Sequence, residues 1–393
     1  MMKLSRNNQL LILFAAALVV RLVFVLTLRH AFSFDDEFEY YRMVENFLAG
    51  RGLAVSSSRM AFRPPLFPLL GTMFYGIPVH IVGFRIAQVL LSAATVVLIY
   101  LVGEKVFSRK TGWWAGIISV VYPFFIFYTG FFLTETLFVF LLVAALYYLC
   151  RTVSEQNPLV VVMAGVFFGL AGLTRPTIQM YVPLAGILLV CLPGRLMGKI
   201  KKALIMGAVC LAVTSPWIIR NYTVLHRFIP GATLGGRVFW EGNNPHSDGG
   251  PCSYFPYEDV NIPEVQRYGM LYGKTVDVLK ENPRRALWLA GNKFLRFWNV
   301  VPNAAGYSGL KYRLAGILTF GVMLPFFLIG FCASFKVREA WFFHMLIVFF
   351  TLFHVASLAS IRYRLPIEPF VIILAVVGFE RAVAFARRKE VTT

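Results

Sequence analysis

Long apolar runs alternate along the chain with shorter polar stretches. A helix needs about 20 apolar residues to cross the hydrocarbon core of a membrane, and ten runs reach or approach that length. The pattern therefore predicts an all-α polytopic membrane protein with about ten transmembrane helices, which we interpret as a single domain over residues 1–393. The predicted spans cover residues 10–28, 79–102, 113–131, 136–150, 159–173, 177–192, 203–219, 314–335, 340–360 and 366–383.

Composition supports this class. Hydrophobic residues make up 58% of the chain and charged residues only 15%, whereas a soluble domain carries about 25% charged residues. The first run follows Lys3 and Arg6 and contains Arg21, and it lacks a small-residue cleavage site, so we predict an uncleaved anchor rather than a signal peptide. Arg21 itself is expected to extend its guanidinium to the membrane surface.

Basic residues set the predicted orientation. The formal net charge is +19, yet the lysines and arginines flank the apolar runs and form no basic stretch with interleaved aromatic residues, so nucleic-acid binding is not predicted. The positive-inside rule places the short basic loops and both termini in the cytoplasm. We therefore predict a protein of the cytoplasmic membrane whose first polar segment (residues 30–78) and second polar segment (residues 220–313) are extracytoplasmic.

Both polar segments contain helical patterns. Residues 40–48 of the first segment carry apolar side chains at helical spacing before Gly50 and Gly52. In the second segment, the stretches 263–279 and 283–299 each open with a proline, which is typical of a first helical turn. We expect amphipathic juxtamembrane helices in both segments.

Four carboxylates of the first polar segment stand close together. In a chain with only 19 Asp and Glu, the residues Asp35, Asp36, Glu37 and Glu39 are interrupted by Phe38 alone. A charge run is usually a solvated face. These acids, however, begin an apolar helix, so at least one carboxylate is expected to face inward. There it could act as a general base toward a hydroxyl or hold a divalent metal.

Glu135 is the other candidate acid. It opens the fourth predicted run, where an ionisable side chain is costly and indicates function. An interfacial glutamate can equally reach water or pair with a neighbouring arginine. Its predicted position on the same side of the membrane as the acidic run favours a shared site.

Arginines gather on that same side. A guanidinium binds phosphate through paired hydrogen bonds and stays charged at a membrane surface, so these residues together predict a pocket for an anionic headgroup. Each of them alone would also fit a membrane anchor. The chain has no Walker loop and no GxGxxG motif after a strand, which favours a lipid-linked phosphate over a nucleotide. The arginines are Arg63, Arg175, Arg220, Arg362 and Arg364.

The motifs of the predicted extracytoplasmic side occur in a characteristic order. They are Asp36-Glu37-Phe38-Glu39-Tyr40, Arg63-Pro64-Pro65-Leu66, Glu135, Pro216-Trp217-Ile218-Ile219-Arg220-Asn221-Tyr222, Glu241-Gly242-Asn243-Asn244-Pro245 and Arg362-Tyr363-Arg364-Leu365-Pro366. The order of these motifs, and the side of the membrane on which they are predicted to lie, resemble those of the GT-C glycosyltransferases. The pattern is most similar to the bacterial relatives of protein O-mannosyltransferases and of the aminoarabinose transferase that modifies lipid A.

This resemblance implies an inverting transfer of a sugar from a polyprenyl-phosphate donor to a hydroxyl acceptor at the outer face of the membrane. The acceptor would be lipid A, another glycan or a protein. In the family, the aspartate of the first loop is the catalytic carboxylate, which here matches Asp36, with Asp35 as the alternative. Arg63 stands where relatives often carry a lysine.

The remaining roles follow from the same interpretation. The leaving phosphate is expected to be stabilised by Arg63, Arg175 and either Arg362 or Arg364, with Arg220 in the same donor site. Glu135 is expected to position a substrate or to share a metal with Asp36. The residues expected to shape the substrate site are Glu37, Tyr40, Asn243 and Asn244.

No cofactor is predicted, and the use of a divalent metal is left undecided.

Two other functions stay open. The alternative to an enzyme is a transporter or flippase for a lipid-linked or anionic solute, but such proteins usually place ionisable groups near the bilayer midplane in repeated halves. Here the charges collect on one side and no internal repeat is visible. A non-catalytic assembly partner with the same fold is the other alternative.

Overall fold

The computed structural model describes residues 4–28, 32–76, 80–252, 254–255, 262–302, 305–307 and 309–392. These residues form helices joined by turns and loops, and no β-strand occurs among them, which confirms the predicted all-α class. The predicted limits of the first polar segment, residues 30 and 78, lie outside the described residues.

The helices follow one another along the chain with short connections outside the two polar segments. They are α1 (Arg6–Leu26), α2 (Asp35–Leu48), α3 (Leu66–Thr72), α4 (His80–Val106), α5 (Arg109–Val121), α6 (Pro123–Phe127), α7 (Glu135–Ser154), α8 (Pro158–Gly172), α9 (Tyr181–Cys191), α10 (Leu196–Leu225), α11 (Leu234–Glu241), α12 (Glu264–Glu281), α13 (Pro283–Phe297), α14 (Leu310–Gly316), α15 (Val322–Ala333), α16 (Ala340–Ala356), α17 (Ile361–Arg364) and α18 (Glu368–Thr392).

Within the described part of the chain, six helices are long and apolar enough to cross a membrane. A seventh span results if α5 and the bent continuation Pro123–Gly130 count as one. Three further apolar helices, Pro158–Gly172, Pro176–Cys191 and Ala340–Ala356, are shorter. Each predicted run coincides with an apolar helix, but the predicted number of ten spans is not confirmed. The six long spans are Arg6–Leu26, Ile81–Val106, Glu135–Ser154, Leu196–Leu225, Leu310–Lys336 and Ile361–Arg387.

Helix α7 lies at the centre of the bundle, where it packs against α4 and α8. Helices α15 and α18 approach each other closely enough for their backbones to touch. A Cβ atom at Gly330 would lie 1.8 Å from the carbonyl oxygen of Leu374, and one at Gly378 would lie 1.9 Å from that of Phe326. Any side chain at either glycine would push the two helices apart, so this packing depends on both.

Arg21 lies inside the bundle, so the expectation that it reaches the membrane surface is wrong. Its buried guanidinium donates to Ser92 Oγ (2.6 Å) and to the carbonyl oxygens of Ser119 and Val120 (both 3.0 Å). Because Pro123 has no N–H, it cannot donate to the Ser119 carbonyl as an ordinary helical residue would. Arg21 supplies that donor where α5 ends and the chain bends by 54°.

The polar segments contain the predicted helices. Helix α2 packs its apolar side against α3, with the rings of Tyr40 and Phe67 5.1 Å apart between centroids. Helices α12 and α13 occupy the two stretches of the second polar segment that open with a proline. Helix α13 exposes Leu287, Trp288 and Leu295, the kind of apolar face that a helix on a membrane surface presents.

Candidate functional site

Glu37 fixes the start of α2. Its Oε2 accepts hydrogen bonds from the backbone N–H groups of Ser33 (2.6 Å) and Phe34 (3.0 Å), and its Oε1 accepts one from the N–H of Phe132 (2.6 Å). The carboxylate thus satisfies N–H groups at the beginning of the helix and ties α2 to the chain just before α7. Its side chain is buried. Glu37 therefore contributes to the site by setting the position of its neighbour Asp36.

Arg63 joins two carboxylates of α2. Asp36 and Glu39 lie three residues apart and so share one face of the helix. Arg63 Nη2 is 2.5 Å from Asp36 Oδ1 and also contacts Glu39, whose Oε2 accepts from Arg63 Nε at 2.8 Å. The guanidinium lies 5.2 Å from the ring centroid of Tyr40, which is buried beneath it. The acidic run and the Arg-Pro-Pro motif therefore form one ion-pair cluster.

Arg362 extends this cluster to the ends of the apolar helices. Its Nη1 is 2.8 Å from Asp36 Oδ2, and its Nε contacts Oε1 of Glu135. Arg175 Nη2 lies 2.7 Å from the same Glu135 oxygen, and Arg175 Nε donates to Thr134 Oγ1 at 3.1 Å. Five separate parts of the sequence thus meet in one place. We call the group the carboxylate–arginine cluster: Asp36, Glu39, Arg63, Glu135, Arg175 and Arg362.

One oxygen of this cluster is left without a partner. Glu135 is buried, and its Oε1 receives both Arg175 and Arg362. Its Oε2 is also buried but finds no hydrogen-bond partner among the described residues. A buried polar atom without a partner costs free energy, commonly about 1–3 kcal/mol, and marks a position where a ligand or water can donate.

The two aspartates of the acidic run have different surroundings. Asp36 is bound by two arginines, and 28% of its side chain is exposed. Asp35 is exposed, and no hydrogen bond or ion pair of its side chain is found among the described residues. The geometry therefore favours Asp36 over Asp35 as the carboxylate that acts in the site.

The arginines keep Asp36 ionised. Burial works against the charged form, but the positive charges of Arg63 and Arg362 outweigh it and hold the pKa of the Asp36 carboxyl well below its usual range. At neutral pH this side chain is therefore a carboxylate.

Two of the predicted phosphate-binding arginines lie outside the cluster. Arg220 donates to the carbonyl oxygens of Met60 (2.8 Å) and Leu53 (3.2 Å). Arg364 is buried beside Glu368, with 2.6 Å between Nε and Oε1. The structure therefore brings Arg63, Arg175 and Arg362 together but gives Arg220 and Arg364 other partners. Arg362 rather than Arg364 is the residue of the late motif that reaches Asp36.

Asn243 and Asn244 shape the second polar segment. The side chain of Asn243 donates to the carbonyl oxygen of Phe239 (2.8 Å) and accepts from Nζ of the buried Lys293 (2.6 Å). That of Asn244 accepts from the N–H of His246 at 2.9 Å. Both asparagines are buried, and their hydrogen bonds hold the turn that follows α11. The structure thus gives these two residues contacts within the protein.

A clamp that the sequence did not suggest holds residues 53–63 in place. The buried Glu264 of α12 accepts from the N–H groups of Met60 (2.6 Å) and Ala61 (3.2 Å). It also accepts from the hydroxyl of Thr233 at 2.5 Å. Because this stretch ends at Arg63, the clamp positions the arginine that binds Asp36. The contact joins residues about 200 positions apart, so local spacing carried no signal for it.

Glu264→Ala should loosen this stretch. The change leaves two backbone N–H groups and a hydroxyl without an acceptor, which should lower the free energy of unfolding by about 1–3 kcal/mol. Thermal unfolding of the protein in detergent measures the effect. The exposed neighbour Gln266, changed to alanine, is the control. Equal unfolding temperatures for the two variants would show that the clamp does not support this part of the fold.

The carboxylates of the cluster form ion pairs with arginines. Among the described residues, no group of three or more His, Cys, Asp or Glu side chains is arranged to hold a metal ion.

Part of the sequence matches a known family. Residues 62–219, less than half of the chain, match the model of the dolichyl-phosphate-mannose-protein mannosyltransferase family. The matched segment contains Arg63, Glu135 and Arg175, whereas Asp36 and Arg362 lie outside it. A comparison with curated proteins gives no significant sequence match.

Solved membrane proteins have a similar fold. The oligosaccharyltransferase of Archaeoglobus fulgidus in the apo form gives a TM-score of 0.62 at 12% identity, over 99% of this chain and 52% of that chain. The same organism's AglB, in complex with an inhibitory peptide and a dolichol-phosphate, gives 0.60 at 13% identity, over 99% and 52%. ArnT from Cupriavidus metallidurans, bound to undecaprenyl phosphate, gives 0.53 at 16% identity, over 96% and 61%. The chain thus spans between 52% and 61% of the length of these proteins.

Proposed function

This chain has the GT-C glycosyltransferase fold, and on that premise we propose that it transfers a sugar from a polyprenyl-phosphate donor to a hydroxyl acceptor, with inversion, at the outer face of the cytoplasmic membrane. The observation that carries the proposal is the pairing of Asp36 with Arg63 and Arg362 beside Glu135. Lipids with a phosphate headgroup are bound in two of the similar structures, as dolichol-phosphate in AglB and undecaprenyl phosphate in ArnT.

The arginines of the cluster are the proposed phosphate site. Arg63, Arg175 and Arg362 lie at the ends of apolar helices or in the adjoining polar segment, where the headgroup of a membrane lipid would meet them. Each already pairs with a carboxylate. A bound phosphate would share these guanidinium groups with Asp36 and Glu135, and it would add negative charge that the arginines must balance.

Asp36 is the proposed general base. Its carboxylate takes the proton from the acceptor hydroxyl while that oxygen attacks the anomeric carbon on the face opposite the phosphate. The bond between the anomeric carbon and the phosphate oxygen breaks, and its electron pair stays on the phosphate. Arg63, Arg175 and Arg362 stabilise the charge that develops there. Because Asp36 is partly exposed, the proton it has received can pass on to water.

Glu135 is proposed to bind the sugar. Its Oε1 holds Arg175 and Arg362 in position, and its buried Oε2 lacks a partner within the described residues. A sugar hydroxyl that donates to Oε2 would satisfy this atom and fix the donor beside the arginines. Glu135 would thus orient both the phosphate site and the sugar.

Arg63→Ala should weaken the use of the donor. Loss of charge-assisted hydrogen bonds to the phosphate should raise the donor KM by roughly 10- to 100-fold. Initial rates of polyprenyl phosphate release at varied donor concentrations measure this. Arg42→Ala, which removes an exposed arginine of α2, is the control. An unchanged donor KM in Arg63→Ala would contradict the phosphate role of this residue.

The function itself can be tested in cells. Envelope glycans, lipids and glycoproteins are compared by mass spectrometry between cells that carry the chain and cells that lack it. We expect at least one envelope component to lose the mass of a single sugar when the chain is absent. Identical envelope components would count against a transferase and favour the transporter or assembly-partner alternatives.

A further inference from the structure

A small cavity beside the carboxylate–arginine cluster is lined by arginines and aromatic rings. It lies between the first and second polar segments and has a volume of about 50 Å³. This is room for one compact group of a few heavy atoms and not for a sugar ring. We call it the arginine cavity; its characteristic lining residues are Arg59, Arg237, Arg267, Phe62, Phe255 and Tyr268.

Arginines supply most of the charged groups in the described lining of the arginine cavity. Among the described residues, the charged side chains of the wall are three arginines and one glutamate, Glu264. Both oxygens of Glu264 accept hydrogen bonds from the chain, with Met60, Ala61 and Thr233 as donors. This carboxylate therefore serves the clamp. Two of the arginines also pair with carboxylates outside the wall, Arg59 with Glu39 and Arg237 with Glu241. Each guanidinium carries five N–H groups, so these pairs leave donors for an anionic occupant.

Aromatic rings hold two of the guanidinium groups in place. Arg59 lies 4.9 Å from the ring centroid of Phe62, and Arg237 lies 4.2 Å from that of Phe255. Both arginine side chains are about a third exposed, at 32% and 30%. Stacking orders a guanidinium without occupying its N–H groups. These two arginines are thus fixed in position and still accessible to a ligand.

The third guanidinium comes from α12. Arg267 Nη2 donates to the carbonyl oxygen of Ser58 at 2.7 Å, which places it against the stretch that leads to Arg63. Three arginines from three separate elements, the residue 53–63 stretch, α11 and α12, therefore surround one small space. An oxyanion can accept hydrogen bonds from several such groups at once.

A continuous chain of ion pairs links the arginine cavity to Asp36. Arg59 Nη1 lies 3.2 Å from Glu39 Oε1, Glu39 also pairs with Arg63, and Arg63 pairs with Asp36. On the other wall, Arg237 pairs with Glu241 at 3.3 Å. A molecule anchored in the cavity would therefore be connected to the proposed general base through Arg59, Glu39 and Arg63.

We infer that the arginine cavity binds a compact oxyanion, a phosphate or carboxylate group, on the acceptor and so presents a nearby acceptor hydroxyl to Asp36. This inference rests on the proposed function. It identifies the acceptor by chemical class: a molecule that carries an anionic group close to the hydroxyl that receives the sugar. Neutral acceptors would lack this anchor.

Binding of inorganic phosphate tests the inference. The purified full-length chain in detergent is first saturated with polyprenyl phosphate, so that the donor phosphate site is filled, and is then titrated with inorganic phosphate by calorimetry. We expect one phosphate to bind per chain. Arg237→Gln and Arg267→Gln should each weaken this binding by about tenfold or more, because each removes charge-assisted hydrogen bonds. Arg296→Gln, which alters an arginine paired with Asp248 outside the cavity wall, should bind phosphate like the unchanged protein.

The kind of oxyanion follows from a second titration. Acetate that displaces phosphate from the cavity would assign a carboxylate-bearing acceptor, and failure of acetate to compete would assign a phosphate-bearing one. The inference is overturned if the saturated protein binds no phosphate, or if Arg237→Gln and Arg267→Gln both bind it as tightly as Arg296→Gln.

This test is separate from that of the proposed function. Asp36→Asn should lose sugar transfer but keep phosphate binding in the arginine cavity, because Asp36 does not line that cavity. A protein that binds phosphate but never releases polyprenyl phosphate from a donor would refute the transferase proposal and leave the cavity as an oxyanion site without an acceptor role. A transferase that binds no phosphate would refute the acceptor inference alone.

Discussion

Asp36→Asn should reduce sugar transfer by about 10²- to 10⁴-fold, the range that a general base contributes. The amide has nearly the shape of the carboxylate but cannot take a proton from the acceptor hydroxyl. Arg63 and Arg362 keep Glu39 and Glu135 as partners, so the fold should survive the change. Release of polyprenyl phosphate measures the activity, and the unfolding temperature in detergent confirms that the variant is folded.

Asp35→Asn is the matched control for this experiment. It makes the same chemical change one residue earlier, at an exposed side chain of the same helix turn. It should retain activity close to that of the unchanged protein. If Asp35→Asn lost transfer and Asp36→Asn kept it, the catalytic role would belong to Asp35, and the geometry of the cluster would have been misleading.

The Arg364→Ala protein should unfold far more readily, because its free energy of unfolding should fall by about 3–5 kcal/mol. Arg364 and Glu368 are both fully buried and paired at 2.6 Å, and Glu368 also accepts from the hydroxyl of Tyr122 at 2.5 Å. Removing the arginine leaves a buried carboxylate without its counter-charge. The measurement is the midpoint of thermal unfolding in detergent.

A double replacement separates charge from packing at this position. Arg364→Met combined with Glu368→Leu removes both charges and should recover much of the lost stability, since a buried ion pair can often be replaced by apolar side chains of similar size. Arg362→Ala, two residues away, should instead impair donor use. An Arg364→Ala protein as stable as the unchanged one would contradict a structural role for the buried pair.

The sequence predicts the helices of this fold well because long apolar runs can satisfy their backbone groups only as helices in a membrane. Each predicted run therefore coincides with an apolar helix in the structure. The number of spans is harder to predict, because three apolar helices are shorter than a full span and α5 is followed by a bend at Pro123. The prediction that Arg21 reaches the membrane surface was wrong for a related reason. The carbonyl oxygens that accept from it lie at that bend, nearly 100 residues away in the sequence.

The candidate site was only partly predictable. Asp36, Arg63 and Glu135 stood out because charged residues are rare in this chain, and the structure brings them together. A sequence pattern cannot tell which of two nearby arginines reaches Asp36. Arg362 and Arg364 are two residues apart on a short helix, so one faces Asp36 and the other faces Glu368.

The sequence alone did not predict the residues that hold the candidate site in position. Glu264 and Arg59 lie in stretches with no motif of their own. The role of Glu264 comes from a contact between the two polar segments, and that of Arg59 from its pairing with Glu39 within the first segment. Such contacts depend on how the loops fold over the membrane helices, which spacing along the chain does not encode. For the same reason, the arginine cavity is visible only in three dimensions.

Release of free polyprenyl phosphate tests the proposed transferase activity most directly. The purified protein is reconstituted in vesicles with the lipid-linked sugars extracted from its own membranes and with an extract of envelope acceptors. Free polyprenyl phosphate is then measured by mass spectrometry. We expect it to accumulate with the unchanged protein and with Asp35→Asn but to stay at background with Asp36→Asn. Equal amounts from the unchanged protein and from Asp36→Asn would refute sugar transfer with Asp36 as the general base.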